Sequence, residues 1–261
     1  SDKRYVSLDV AYGIRARVNL TMHNYADALK DAEAALANTS SVPYSSTAVS
    51  KPTFINIEDA SWMWGILITD KDRVSTTGIC NFPSHMGSLN YGYASVGGWR
   101  RISPKLYNQI PESDVRKGWF LDGTGVSVNL PAAAQAYITK KGAPVYTQVK
   151  YGPMNDEWGS NNNATDVILM RVEEMYLIKA EAQAMNNDVN GGVSTLNSFV
   201  NTYRDPSYKC TATTSEAVQE AVWHQRRIEF WGEGLEYIDN RRLNIPVDRT
   251  DETWGAENNN H

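Results

Sequence analysis

Glu229 and Glu233 stand four residues apart in a stretch that reads as helix, and Glu174 and Glu181 lie in another. Residues at i and i+4 share a helix face. Two carboxylates about 5–10 Å apart across a cleft are what glycoside hydrolysis requires. The same stretches carry Arg171, Arg226, Arg227, Arg241 and Arg242. A guanidinium fork pairs bidentately with a carboxylate and locks one helix onto another. The second reading is preferred. Arg171, Glu174, Glu181, Arg227, Glu229, Glu233, Asp239, Arg241 and Arg242 are expected to form a structural ion-pair network, with no catalytic residue among them.

Metal chemistry finds little support. Asp188-Val189-Asn190-Gly191-Gly192 has the flavour of a calcium loop but lacks a third acidic position and a distal Glu. It reads as a turn between helices. The histidines, His23, His85, His224 and His261, show no HExxH spacing. Cys80 and Cys210 stand far apart in no CxxC pattern, which excludes a disulfide framework or a Cys-rich zinc site. Two free buried thiols are expected in preference to one bridge. No metal and no cofactor is expected.

The aromatic residues are the better candidates for contact with a ligand. The chain has 14 Tyr and 8 Trp against 5 Phe. Tyr and Trp combine an apolar face with a hydrogen-bonding tip, which suits a surface that is both sticky and wet. Sugar rings have the complementary shape, an apolar C–H face with a polar rim. The densest stretch is Asn90 to Arg101, where Tyr91, Tyr93 and Trp99 stand among glycines with Asn90, Arg100 and Arg101. These six are the candidate glycan contacts, with packing or partner contact as the alternative for the rings. Trp62 and Trp64 share a strand parity and read as core, pointing the same way. Trp223 and Trp231 lie on the carboxylate helix and are expected to be buried.

Three zones must position these residues. Residues 1–40 contain one Gly and no Pro and read as a helical hairpin. Its first helix carries Ala11, Ile14 and Val18 on one face, and its second carries Tyr25, Ala28, Leu29, Ala32 and Leu36. Asn24-Tyr25, Ala28-Leu29 and Ala35-Leu36 fit the second helix of a tetratricopeptide (TPR) repeat, with any Ala-rich hairpin as the alternative. Residues 44–160 hold 12 of the 18 glycines and 7 of the 10 prolines, so long helices are not expected there. Short strands are expected at 62–69 and 145–151, and short helices near 103–110 and 131–137. Residues 165–243 return to helix. Asp166 is expected to cap a helix from Val167 to Met185. A second helix is expected over Val193 to Tyr203, and a third from Ser215 to about Glu233. The tail, 244–261, is polar and is expected to be truncated. The fold class is therefore mainly α, with TPR-like hairpins packed against a loop-rich insertion.

Asp166-Val167-Ile168-Leu169-Met170-Arg171-Val172-Glu173-Glu174-Met175-Tyr176-Leu177-Ile178-Lys179-Ala180-Glu181-Ala182 resembles a signature helix of the SusD/RagB family. Arg226-Arg227-Ile228-Glu229-Phe230-Trp231-Gly232-Glu233-Gly234, continuing to Asp239-Asn240-Arg241-Arg242, resembles its second signature. Trp62-Met63-Trp64-Gly65 and Ser84-His85-Met86 with Gly92-Tyr93 are similar to the family's middle. The resemblance covers nearly the whole chain, which corresponds to the C-terminal half of such a protein. It implies a cell-surface lipoprotein of a Gram-negative outer membrane. Such a protein captures oligosaccharides and passes them to a SusC-like TonB-dependent transporter. Membrane contact would come only through an N-terminal lipid anchor that this chain does not carry.

Composition narrows the alternatives. The longest apolar runs are about the length of Trp62 to Ile68, whereas a spanning helix needs roughly 20 such residues. The net charge of −5 and the lack of a long basic run disfavour a nucleic-acid partner. Two rivals remain. One is a TPR scaffold that binds a peptide on its concave face, although a pure solenoid would not carry so long a Gly- and Pro-rich insertion. The other is a glycosidase built on a helical scaffold.

Overall fold

The computed structural model describes residues 2–76 and 81–246, so Cys80 and most of the polar tail lie outside the described residues. Along the chain come α1 (Leu8–Thr21), α2 (Tyr25–Asn38) and a single turn, α3 (Ser46–Val49). Then follow β1 (Trp62–Ile66), α4 (Phe82–Met86), α5 (Pro104–Asn108) and α6 (Ala132–Lys140). The chain closes with β2 (Val167–Arg171), α7 (Val172–Met185), α8 (Val189–Tyr203), α9 (Ser215–Glu229) and α10 (Leu235–Arg242). The mainly α class holds, with one small antiparallel sheet of β1 and β2.

Two helical hairpins form the scaffold. Ala28, Ala32 and Ala35 of α2 bring it close to α1 and α7, sharing a core with Val10, Leu20, Met175 and Ile178. Small side chains permit that approach. In the second hairpin α8 lies so near α7 that a Cβ on Gly192 would sit 2.7 Å from the Ala180 carbonyl oxygen. Val218 and Val222 of α9 join Leu177, Leu196 and Phe199 in a second core.

Several local expectations are corrected. The buried face of α1 is Val10, Gly13, Ala16 and Leu20, while Ala11 and Val18 are exposed. The helix carries a second apolar stripe, but packing against α2, α7 and β2 selects the face that carries Val10. A Cβ on Gly13 would stand 2.5 Å from the Met170 sulfur, so the flexible Met170 side chain would have to shift to make room for it. Residues 167–171 are strand rather than helix, because they pair with β1 from Ile66↔Val167 to Trp62↔Arg171. Asp166 therefore caps nothing. Its carboxylate accepts the N–H groups of Ile57 and Ile68, each at 2.8 Å.

Register shifts between Trp62 and Gly65 break the strand parity. Trp62 is wholly buried in the core with Phe54 and Trp119, whereas Trp64 packs on the α1–α2 core. Residues 145–151 make isolated bridges, Arg101↔Thr147, Phe120↔Gln148 and Thr53↔Tyr151, but no strand. The Lys150 N–H turns to the Gln148 side chain instead of a neighbouring strand. Helix α8 starts at Val189, four residues earlier than expected, because Asp188 caps it by accepting the Gly191 N–H at 2.9 Å. Thr214 caps α9, which ends at Glu229. Cys210 is buried and free.

Candidate functional site

The carboxylates come together in a sealed network. Glu229 ends α9 with no solvent exposure. Its Oε1 accepts from Arg171 at 3.0 Å and Arg204 at 2.8 Å, and its Oε2 from Arg204 at 2.7 Å and Arg116 at 3.3 Å. Glu233 accepts from Arg171 at 3.0 and 2.9 Å and from Lys150 Nζ at 2.6 Å. Glu173 lies 3.1 Å from Arg171 and 3.2 Å from Arg204, and Asp114 lies 2.6 Å from Arg116. Four cations, Arg116, Lys150, Arg171 and Arg204, thus face four buried carboxylates, Asp114, Glu173, Glu229 and Glu233.

A second set bridges α1, α7, α9 and α10. Arg17 pairs with Glu174 at 2.6 Å. Arg226 and Arg242 both hold Asp239, at 2.7 and 2.8 Å, and Arg242 forks onto Glu181 at 2.5 and 2.7 Å. Arg227 pairs with Glu236 nearer the surface at 2.7 Å. Arg241 is exposed and forms no ion pair among the described residues.

Burial alone would raise the Glu229 carboxyl. Arg204, then Arg171 and Arg116, outweigh it and hold the group well below the usual carboxylate range. Burial pushes the Lys150 ammonium down to about 8 against the opposing pull of Glu233. Its Nζ sits 4.7 Å from the centre of the Phe54 ring and 4.8 Å from that of Trp119. Both oxygens of Glu229 and both of Glu233 accept from a cation, so neither carboxylate is free to act as acid, base or nucleophile. What these groups do chemically is hold α7, α9 and the insertion in fixed relation.

The aromatic stretch is built differently. The chain turns at Gly92, where a Cβ would meet the Ser84 backbone at 2.9 Å, so the loop lies directly on α4. The Tyr93 N–H donates to Ser84 Oγ at 3.2 Å, and the Tyr91 N–H to the Ser160 carbonyl at 2.8 Å. With the backbone pinned, both rings face outward, Tyr91 at 47% and Tyr93 at 45% exposure. The His85 ring stacks on Tyr93 at 5.0 Å and 25°, and the Arg100 guanidinium stands 5.8 Å from its centre. Lys141 Nζ stands 5.7 Å from the Tyr91 ring and 5.8 Å from Tyr137, whose hydroxyl donates to the Asn90 carbonyl at 3.3 Å. These two exposed phenols, Tyr91 beside Lys141 and Tyr93 beside Arg100 and His85, make up the Tyr91–Tyr93 arc.

The six residues of the stretch do not act together. Tyr91, Tyr93 and Arg100 face solvent in whole or part. Asn90 is buried and donates from Nδ2 to Asn163 Oδ1. Trp99 is half-buried against Leu89, Leu121 and Ile138. Arg101 donates to the Val145 carbonyl at 3.0 Å. His85, Tyr137 and Lys141 join the arc without having been candidates, because they come from α4 and the end of α6. Trp223 and Trp231 are half-buried rather than buried and line an open groove between α5, α9 and α10.

A model of the SusD family matches residues 98–261. Among solved structures, a SusD-like carbohydrate binding protein from Bacteroides vulgatus ATCC 8482 matches with a TM-score of 0.71 and 24% identity, over 93% of this chain and 46% of its own. A SusD superfamily protein from Bacteroides thetaiotaomicron VPI-5482 matches with a TM-score of 0.72 and 21% identity, over 97% and 53%. One from Parabacteroides distasonis ATCC 8503 matches with a TM-score of 0.65 and 16% identity, over 93% and 54%. The chain spans about half the length of these proteins. No curated protein matches it.

Proposed function

The chain belongs to the SusD family, and from that premise we propose that it binds oligosaccharides without cleaving them. In this reading it serves as the surface component of an outer-membrane uptake system and passes glycan to a SusC-like TonB-dependent transporter. The observation that carries the glycan contact is the Tyr91–Tyr93 arc. Its two rings are held at about half exposure by backbone bonds they do not themselves make. His85 stacks on Tyr93, Arg100 lies over that same ring and Lys141 over Tyr91, so polar and charged groups stand within reach of the hydroxyls of a sugar laid on the ring surface that stays open. One platform supports roughly millimolar binding, and several together approach micromolar. The likeness in fold to a SusD-like carbohydrate binding protein adds support.

The glycosidase reading is disfavoured because Glu229 and Glu233 are sealed behind Arg171, Arg204 and Lys150. The test is calorimetric titration of the chain with neutral oligosaccharides from starch, cellulose, xylan and mannan. At least one should bind, and the Tyr91→Ala, Tyr93→Ala double variant should bind it at least tenfold more weakly. Absence of heat with the whole panel contradicts the reading. So does turnover of a chromogenic glycoside that Glu229→Gln abolishes.

A further inference from the structure

We infer that the groove between α5, α9 and α10 is a second oligosaccharide site, separate from the Tyr91–Tyr93 arc, and that it takes a neutral chain of several sugar rings. The inference rests on the glycan-binding reading and extends it to a surface with different walls. The groove has a volume of about 1010 Å³, the upper end of the roughly 300–1,000 Å³ common for small-ligand sites.

Its aromatic plates are already fixed. Trp223 on α9 donates from Nε1 to Asn240 Oδ1 on α10 at 2.9 Å, which sets the plane of the indole. The Arg227 guanidinium lies 4.7 Å from the centre of that ring and is itself held by Glu236 at 2.7 Å. Trp231 stands edge-on to Phe120 at 5.2 Å and 82°. Both indoles keep part of their surface open. Tyr237, 71% exposed, stands on the α10 wall as a third ring.

The charges of the lining choose among ligands. Lys105 and Arg227 are matched in number by Glu220 and Glu236, so the lining carries no net charge to select an anion or a cation. His224 adds none near neutral pH, since burial, then Arg116 and Arg227, hold its imidazole down to about 4. A neutral ligand with flat apolar faces and a hydroxyl rim fits indole and phenol plates among amide, guanidinium and carboxylate groups. A phosphate or a basic peptide would leave one pair of these charges unanswered.

The test follows the indole N–H signals of Trp223 and Trp231 in the 261-residue chain, by nuclear magnetic resonance. The probes are maltoheptaose, cellohexaose, xylohexaose and mannohexaose. With at least one, both signals should shift saturably, and the shift should persist in the Tyr91→Ala, Tyr93→Ala variant. Tyr237→Ala should weaken that shift about tenfold without moving the unfolding midpoint. If a sugar binds but all binding is lost in the double variant, the groove proposal is overturned and the glycan-binding reading stands. A Tyr237→Ala affinity within twofold of the parent overturns the groove in the same way. If no sugar binds anywhere, both fall.

Discussion

The junction of α7 and α9 and the Tyr91–Tyr93 loop are opposites. The junction concentrates charge, eight ionised groups balanced four against four, and admits no water to the Glu229 carboxylate. The loop concentrates aromatic surface and leaves about half of each phenol uncovered. By residue type alone paired carboxylates could serve catalysis, and clustered rings could be core or ligand contacts. The Glu229 carboxylate, buried and saturated by guanidinium groups, has nothing left to offer a substrate, while a ring fixed in place and about half exposed still has surface to offer. Partners and exposure, rather than residue identity, distinguish the two regions.

The comparison breaks first at Glu229. Glu229→Gln leaves Arg116, Arg171 and Arg204 short of a charge in a sealed site and should cost about 3–5 kcal/mol of stability, read by urea unfolding. A loss below about 1 kcal/mol would mean the junction is not structural. On the other side, Tyr91→Ala should alter stability by no more than about 0.5 kcal/mol. It should weaken glycan binding by about 1–3 kcal/mol. A large fall in stability would make Tyr91 a packing residue.

Acid sharpens the contrast next. His224 stays neutral in the fold down to about 4, but in the unfolded chain it takes up a proton near its usual 6.5. Stability should therefore fall by about 2–3 kcal/mol between pH 6.5 and pH 4. His224→Gln should flatten that slope. Glu229 and Glu233, both held below the usual carboxylate range, add a further loss that begins as the pH drops under about 4.5. The smallest effect separates two neighbouring arginines. Arg241→Ala should change stability by no more than about 0.5 kcal/mol, because that side chain is exposed. Arg242→Ala should cost several times more, because it strips Glu181 and Asp239 of a partner.

Helix spacing and signature blocks made the two hairpins legible, and the abundance of Arg near Glu229 and Glu233 made ion pairing legible. Their partners were not. Arg116, Lys150 and Arg204 come from segments that carry no pattern linking them to α9, and only the packed fold brings them there. The identity of the buried face of α1 was open as well. Ala11, Ile14 and Val18 are as apolar a stripe as Val10, Ala16 and Leu20, and packing against α2, α7 and β2 settles which is covered. Residues 167–171 read as helix because a continuous apolar run suits either state, and pairing with β1 decides it. At the loop the sequence marked twelve residues, Asn90 to Arg101, but could not divide them. Trp99, the largest ring, turns inward to Leu89 and Ile138, while the flanking His85 and Lys141 arrive from other elements.

The most direct test is a pair of calorimetric titrations with one binding oligosaccharide, on Glu229→Gln and on the Tyr91→Ala, Tyr93→Ala variant, each under conditions where circular dichroism shows it folded. The expected result is binding retained by Glu229→Gln within about threefold and weakened at least tenfold in the double tyrosine variant. Binding that survives loss of both tyrosines, with glycan turnover lost in Glu229→Gln, would contradict the account.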